Sequence, residues 1–188
     1  MTIRTEENMN LRQFLKSLAP LLLFVGPLAS QNDDLLKPGT PAPEFTLADS
    51  KGTRYRLSDY HEKKPVVLFF YPGDETPGCT KQLCAVRDDY ALFTGKNAVV
   101  FGINPGSGAS HEKFTNHHRF SFPLLVDEGM KIAKVYGCGG IMVRRTVYVI
   151  DPKGYIVYAH RGMPPNEDIV KMLDKTIKPS ASPEPAGN

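Results

Sequence analysis

Seven consecutive residues, Pro65-Val-Val-Leu-Phe-Phe-Tyr71, carry no charge and are rich in β-branched and aromatic side chains. A run of this length suits a strand, and its lack of polar alternation requires cover on both faces. Asn97-Ala-Val-Val-Phe-Gly-Ile103 is a second run of the same kind. Between them Leu83, Val86, Tyr90 and Phe93 recur at intervals of three or four, the apolar stripe of an amphipathic helix. Strand, helix and strand in this order predict a right-handed βαβ unit with parallel strands.

The second half of the chain has a different rhythm. Arg145-Thr-Val-Tyr-Val-Ile150 and Tyr155-Ile-Val-Tyr-Ala159 flank Asp151-Pro-Lys-Gly154, a turn that makes the pair a β-hairpin. A last helix over 166–177 carries Ile169, Met172, Leu173 and Ile177 on one side. Near the start, Phe45-Thr-Leu47 and Tyr55-Arg-Leu57 flank Asp49-Ser-Lys-Gly52, a further hairpin. A βαβ half followed by a ββα half is the thioredoxin-like α/β fold: a central mixed sheet flanked by helices, here with an added N-terminal β-hairpin. A flavodoxin-like doubly wound sheet is the competing topology, and the tight hairpin at 151–154 argues against it.

Both ends lie outside this pattern. Arg4, Arg12 and Lys16 precede a short apolar stretch over 18–28, followed by Ala29 and Ser30. A basic leader, a short apolar core and a small-residue exit form the layout of a signal or targeting peptide, assigned to 1–30. The core is shorter than the roughly 20 apolar residues of a membrane span. The expectation is export, to a periplasm, thylakoid lumen or equivalent, with a membrane tether through an uncleaved N-terminus as the alternative. Residues 178–188 hold three prolines and nothing to bury, and read as a disordered tail. One domain, 31–177, remains. Its source chain is 41% apolar with a net charge of +3 and no dense Lys/Arg run, which argues against nucleic acid as a partner.

Three cysteines are too few for a disulfide scaffold, and one must stay unpaired within the chain. Cys79 ends the loop Tyr71-Pro-Gly-Asp-Glu-Thr-Pro-Gly78, which leaves the carboxyl end of the first long strand. In open α/β sheets that edge is where ligands bind. Pro77 suits the first turn of a helix, so Cys79 sits among unpaired amides that favour a thiolate. Cys84 lies five residues on. In an intact helix that spacing sets the Cα atoms roughly 8.7 Å apart. A disulfide needs about 4.4–6.8 Å, so any Cys79–Cys84 bond requires unwinding. Zinc held by Cys79 and Cys84 with His111, His117 or His118 is the rival, poorly served by two cysteines on different faces of one helix. The five histidines lie in polar surroundings, and solvated surface positions are the expectation for each.

Tyr71-Pro72-Gly-Asp-Glu-Thr76-Pro-Gly-Cys79-Thr-Lys-Gln-Leu-Cys84, followed by Arg87-Asp-Asp-Tyr90, resembles the peroxiredoxin active-site segment with its Pro-x-x-x-Thr-x-x-Cys pattern. A second cysteine five positions on resembles the bacterioferritin comigratory protein, or peroxiredoxin Q, branch. Arg145-Thr-Val-Tyr-Val-Ile-Asp151 fits the family's Arg-x-x-x-x-x-Asp strand, and the likeness spans about 36–177. It implies a peroxidatic Cys79 and a resolving Cys84. It also implies that Thr76 hydrogen-bonds the thiolate and the peroxide, Pro72 shields the sulfur, and Arg145 supplies positive charge. Arg144 should point to the other face. The implied activity is reduction of hydrogen peroxide and organic hydroperoxides, through a Cys79 sulfenic acid and a Cys79–Cys84 disulfide. Thioredoxin or a similar dithiol would be the reductant, a monomer the usual state, and no metal or organic cofactor is needed.

Cys138, in Val135-Tyr-Gly-Cys-Gly-Gly140, matches no catalytic position of that family. Its glycines predict an exposed loop with a spare thiol, and an alternative resolving role stays open. Two other functions compete with the peroxidase. A thiol–disulfide oxidoreductase acting on protein disulfides lacks the usual Cys-x-x-Cys. A non-enzymatic binding module leaves Thr76, Cys79 and Arg145 together unexplained.

Overall fold

The structure, a computed structural model, describes residues 35–177. Its framework is one mixed sheet of seven strands in the order β2-β1-β5-β4-β3-β6-β7. The strands are β1 (Thr46–Asp49), β2 (Arg54–Arg56), β3 (Val66–Phe70), β4 (Val99–Asn104), β5 (Leu124–Val126), β6 (Thr146–Ile150) and β7 (Ile156–Arg161). The helices are α1 (Pro77–Asp88), α2 (Tyr90–Thr94), α3 (Gly108–His118), α4 (Lys131–Val135) and α5 (Asn166–Ile177).

β3 and β4 pair in parallel, as the βαβ reading requires, while β6 pairs antiparallel with both β3 and β7. This is the thioredoxin-like arrangement with a mixed sheet. The first hairpin also forms, and β1 docks antiparallel on β5. In both tight turns an aspartate closes the chain on itself. Asp49 Oδ1 accepts from the amides of Lys51 and Thr53, each at 2.9 Å, and Asp151 Oδ1 accepts from Tyr155 N at 2.8 Å.

All five residues of β3 are buried, and period-two geometry divides them between two cores. Val67, Phe69 and Tyr71 pack with Cys79, Leu83 and Val86 of α1 and with Ile169 and Leu173 of α5. Val66, Leu68 and Phe70 pack on the other face with Phe45, Leu57, Tyr136 and Cys138. The continuous apolar run is therefore the middle layer of the molecule.

The helix expected between β3 and β4 breaks at Asp89, so Tyr90 and Phe93 belong to the short α2. The segment 104–135 contains three elements that sequence periodicity does not reveal: α3, β5 and α4. The proposed leader 1–30 and tail 178–188 lie outside the described residues. Among the described residues no helix is long and apolar enough to cross a membrane.

Candidate active site

The site forms where the chain leaves β3. Tyr71 is followed by the loop 72–76, and Thr76 is the N-cap of α1 with Pro77 in its first turn. Cys79 therefore occupies the first helical turn, fully buried beneath it. Arg145, 66 positions away and just ahead of β6, donates from Nη2 to Cys79 Sγ at 3.1 Å. Its Nη1 donates to Oε1 of Gln82, which lies one turn along α1 from Cys79. Gln82 is buried, and its Nε2 has no hydrogen-bond partner among the described residues. Gly78 makes room for this arrangement, because a Cβ there would stand 3.3 Å from Arg145 Nη2.

Pro72 lies half-buried in the loop just after Tyr71. Thr76 is exposed, and its hydroxyl donates to the carbonyl of Gly73 at 3.1 Å. Cys84 is in the same unbroken helix as Cys79, half-buried, with its sulfur 3.7 Å from Nδ1 of His118. Arg144 donates to the carbonyl of Gly137 and stands away from this cluster.

The AhpC/TSA family model matches residues 38–159, which takes in the strand, loop, helix and arginine that build the site. The chain belongs to the AhpC/TSA family. Relatives in this family include the chloroplastic Peroxiredoxin Q of Triticum aestivum, 42% identical over 144 residues, covering 74% of this chain and 64% of that protein. The Peroxiredoxin Q of Sedum lineare is also 42% identical, over 74% of this chain and 75% of that one. Among solved structures, peroxidoxin BcpB of Mycobacterium tuberculosis superimposes with a TM-score of 0.70 at 32% identity, covering 77% of this chain and 99% of that one. The chain thus spans somewhat less than two thirds of the wheat relative's length.

Beside this candidate site lies a network that no sequence motif marks. Asp74, whose side chain is only 4% exposed, accepts hydrogen bonds from four groups. They are Tyr71 Oη at 2.8 Å, Asn104 Nδ2 at 2.9 Å, Ser110 Oγ at 2.5 Å and His111 Nδ1 at 2.9 Å. His111 is fully buried, which corrects the expectation of a solvated position. Its Nε2 faces the carbonyl of Leu125 at 3.2 Å, so each ring nitrogen meets an oxygen. The network ties the loop 72–76 to β4 and α3.

Burial acts to raise the Asp74 carboxyl, but the hydrogen bonds from His111 and Ser110, the His111 charge and the Tyr71 hydroxyl outweigh it. They hold its pKa at about 2. A depressed carboxylate pKa contributes stability that is fully present above the unfolded value of about 4 and is lost as pH falls through about 2. Asp74→Asn should lower the unfolding free energy at pH 7 by about 3 kcal/mol, the low end for breaking a buried pair, because the amide oxygen can still accept some of these hydrogen bonds. Urea denaturation of the two proteins checks this, and the gap should narrow as pH drops from 4 toward 2.

Cys138 also departs from expectation. The glycines around it do not expose it; it is fully buried in the core on the face of the sheet opposite Cys79. Its thiol donates to the Tyr136 carbonyl at 3.3 Å, and burial pushes its pKa up. A thiol held there is poorly suited to resolving a sulfenic acid at Cys79.

Proposed function

We propose that this chain is a thiol-dependent peroxidase in which Cys79 is the nucleophile. The observation that carries the reading is the Arg145 guanidinium at 3.1 Å from a cysteine sulfur in the first turn of a helix. Positive charge and helix amides both stabilise a sulfur anion there. The thiolate attacks the terminal peroxide oxygen, the O–O bond breaks, and the leaving alkoxide or hydroxide takes a proton to become alcohol or water. Cys79 is left as a sulfenic acid. A more stable thiolate is a weaker nucleophile, so charge stabilisation on sulfur cannot supply the rate alone. Arg145 lies close enough to follow the negative charge as it moves onto the peroxide oxygens. Thr76, at the N-cap, would join it once its hydroxyl swings away from Gly73, with Pro72 covering the sulfur.

Because Cys79 is buried, a peroxide reaches it only when the loop 72–76 or the first turn of α1 yields. The same turn has to open for the second step. The Cys84 thiolate attacks the sulfenic sulfur, hydroxide leaves and is protonated to water, and a disulfide remains. Thioredoxin or a similar dithiol then reduces it. Cys84→Ser should still form one sulfenic acid per chain, trapped by dimedone, while losing turnover supported by thioredoxin. Full thioredoxin-dependent turnover in that variant would remove Cys84 from the cycle.

A protein-disulfide exchanger needs two sulfurs that meet without rearrangement, and α1 holds these two apart. Hydrogen peroxide consumption with an excess of dithiol, run beside reduction of insulin disulfides, separates the two functions. The first should be fast and the second no faster than the dithiol alone. The basic, apolar, small-residue layout of 1–30 and the chloroplastic relatives support a targeting segment at the N-terminus.

A further inference from the structure

We propose that Glu75, His117 and His118 form a site for a divalent cation of the Zn²⁺ type, and that the bound ion restrains the opening of α1. The restraint rests on the peroxidase reading above; the binding site does not. Glu75 lies in the loop just ahead of α1, and the two histidines close the last turn of α3. One carboxylate faces both rings. Oε1 lies 3.0 Å from His117 Nδ1 and Oε2 lies 3.2 Å from His118 Nε2. All three ligand atoms fall within 4.8 Å of one another.

Two imidazoles and a carboxylate are a donor set that zinc accepts, with a fourth position left for water. Zinc–ligand distances of about 2.0–2.2 Å imply ligand atoms roughly 3.3 Å apart around a tetrahedral ion. The three ligand atoms, within 4.8 Å of one another, would draw together by up to about 1.5 Å to reach that. His118 is already braced, its ring edge-on to Phe114 and stacked on Phe120, while His117 and Glu75 are exposed to solvent. This site uses no cysteine, unlike the zinc rival raised by the sequence.

The consequence follows from the other nitrogen of His118. When Nε2 binds a metal, the remaining ring proton must sit on Nδ1, and such a proton is normally donated to a nearby acceptor. Here that acceptor is Cys84 Sγ at 3.7 Å. One ion would therefore fasten α3 both to the loop that leads into α1 and, through His118, to the resolving sulfur. The condensation of Cys79–SOH with Cys84 requires α1 to unwind. An ion held only by the closed form lowers the open population by the factor 1 + [M]/Kd, about 100-fold at a metal concentration 100 times Kd. Zinc should thus slow resolution and leave the sulfenic acid longer in peroxide, where it goes on to sulfinic acid.

The test uses the full chain with Cys79→Ser and Cys84→Ser combined, which removes the two reactive thiols and all peroxide chemistry. Titration calorimetry with Zn²⁺ should give one ion per chain, weakened at least about 10-fold by adding His117→Asn or Glu75→Gln. Absence of stoichiometric binding, or binding indifferent to both substitutions, overturns the site whatever the outcome for the peroxidase. In the same protein, zinc should slow amide hydrogen exchange in the first two turns of α1. In the wild type, rapid quenching and mass spectrometry should show slower Cys79–Cys84 linkage with Zn²⁺ than with EDTA, an effect abolished by His117→Asn. Slowing that persists in His117→Asn would put the zinc on the thiols and overturn the restraint.

Discussion

Cys79→Ser should consume hydrogen peroxide no faster than buffer with the same dithiol, a fall of about 10⁶-fold or more and the whole of an ordinary enzymatic acceleration. The serine hydroxyl is close in size to the thiol and inherits Arg145 as a hydrogen-bond donor, so the buried position stays filled and paired. Chemistry is what disappears. A hydroxyl is a weak nucleophile without a base to activate it, and the group beside it here is a guanidinium, which cannot accept a proton. A peroxide electrode or a coupled thioredoxin assay reads the loss. Unaltered thermal unfolding of the variant keeps a folding defect from being mistaken for it. Undiminished peroxidase activity in Cys79→Ser would move the nucleophile elsewhere.

Arg145→Ala is expected to cost about 10²–10³ in kcat/KM for peroxide, the usual effect of removing one aligned donor from developing negative charge. Arg145 holds Cys79 with one arm and Gln82 with the other, so its head is fixed before the substrate arrives. That geometry explains why lysine should rescue only partly. An ammonium on a flexible stem keeps the charge but cannot span the sulfur and the amide in one plane. Loss of Arg145 also takes from the Gln82 side-chain amide the one hydrogen bond it makes among the described residues. The rate of the first oxidation, followed by stopped flow with one equivalent of peroxide, should carry the whole defect. Sulfenic-acid resolution should change much less, because Cys84 is not in this network.

The parts of the fold legible in the sequence are those whose pattern is local and strong. The apolar runs became β3 and β4, the aspartate–glycine turns became the hairpins, and the Ile169–Leu173 stripe became α5. α3 is a polar helix with glycine and asparagine among its residues, and only His111 and Phe114 are buried along it. β5 spans three residues after a proline, too short for period two to register. Both are specified by what they pack against.

The site divides in the same way. Cys79 on a helix N-terminus follows from strand, loop and Pro77, whereas Arg145 came from the family pattern, since nothing local joins residues 66 apart. Gln82 was within reach of the i,i+3 spacing from Cys79. The Asp74–His111 pair was not, because polar neighbours read as solvent exposure until tertiary packing buries both partners. Cys138 misled for a related reason. Gly137 takes a left-handed turn at φ 66° and Gly139 packs against the backbone of Lys134, so the glycines fold the thiol under the sheet instead of lifting it out.

The most direct test is to treat the reduced full chain with one equivalent of hydrogen peroxide, block free thiols, and map the linkages by mass spectrometry without reduction. A single Cys79–Cys84 bridge is expected, with Cys138 recovered as a free, blocked thiol only after unfolding. A bridge between Cys79 and Cys138, or peroxide consumed with all three thiols intact, would contradict it.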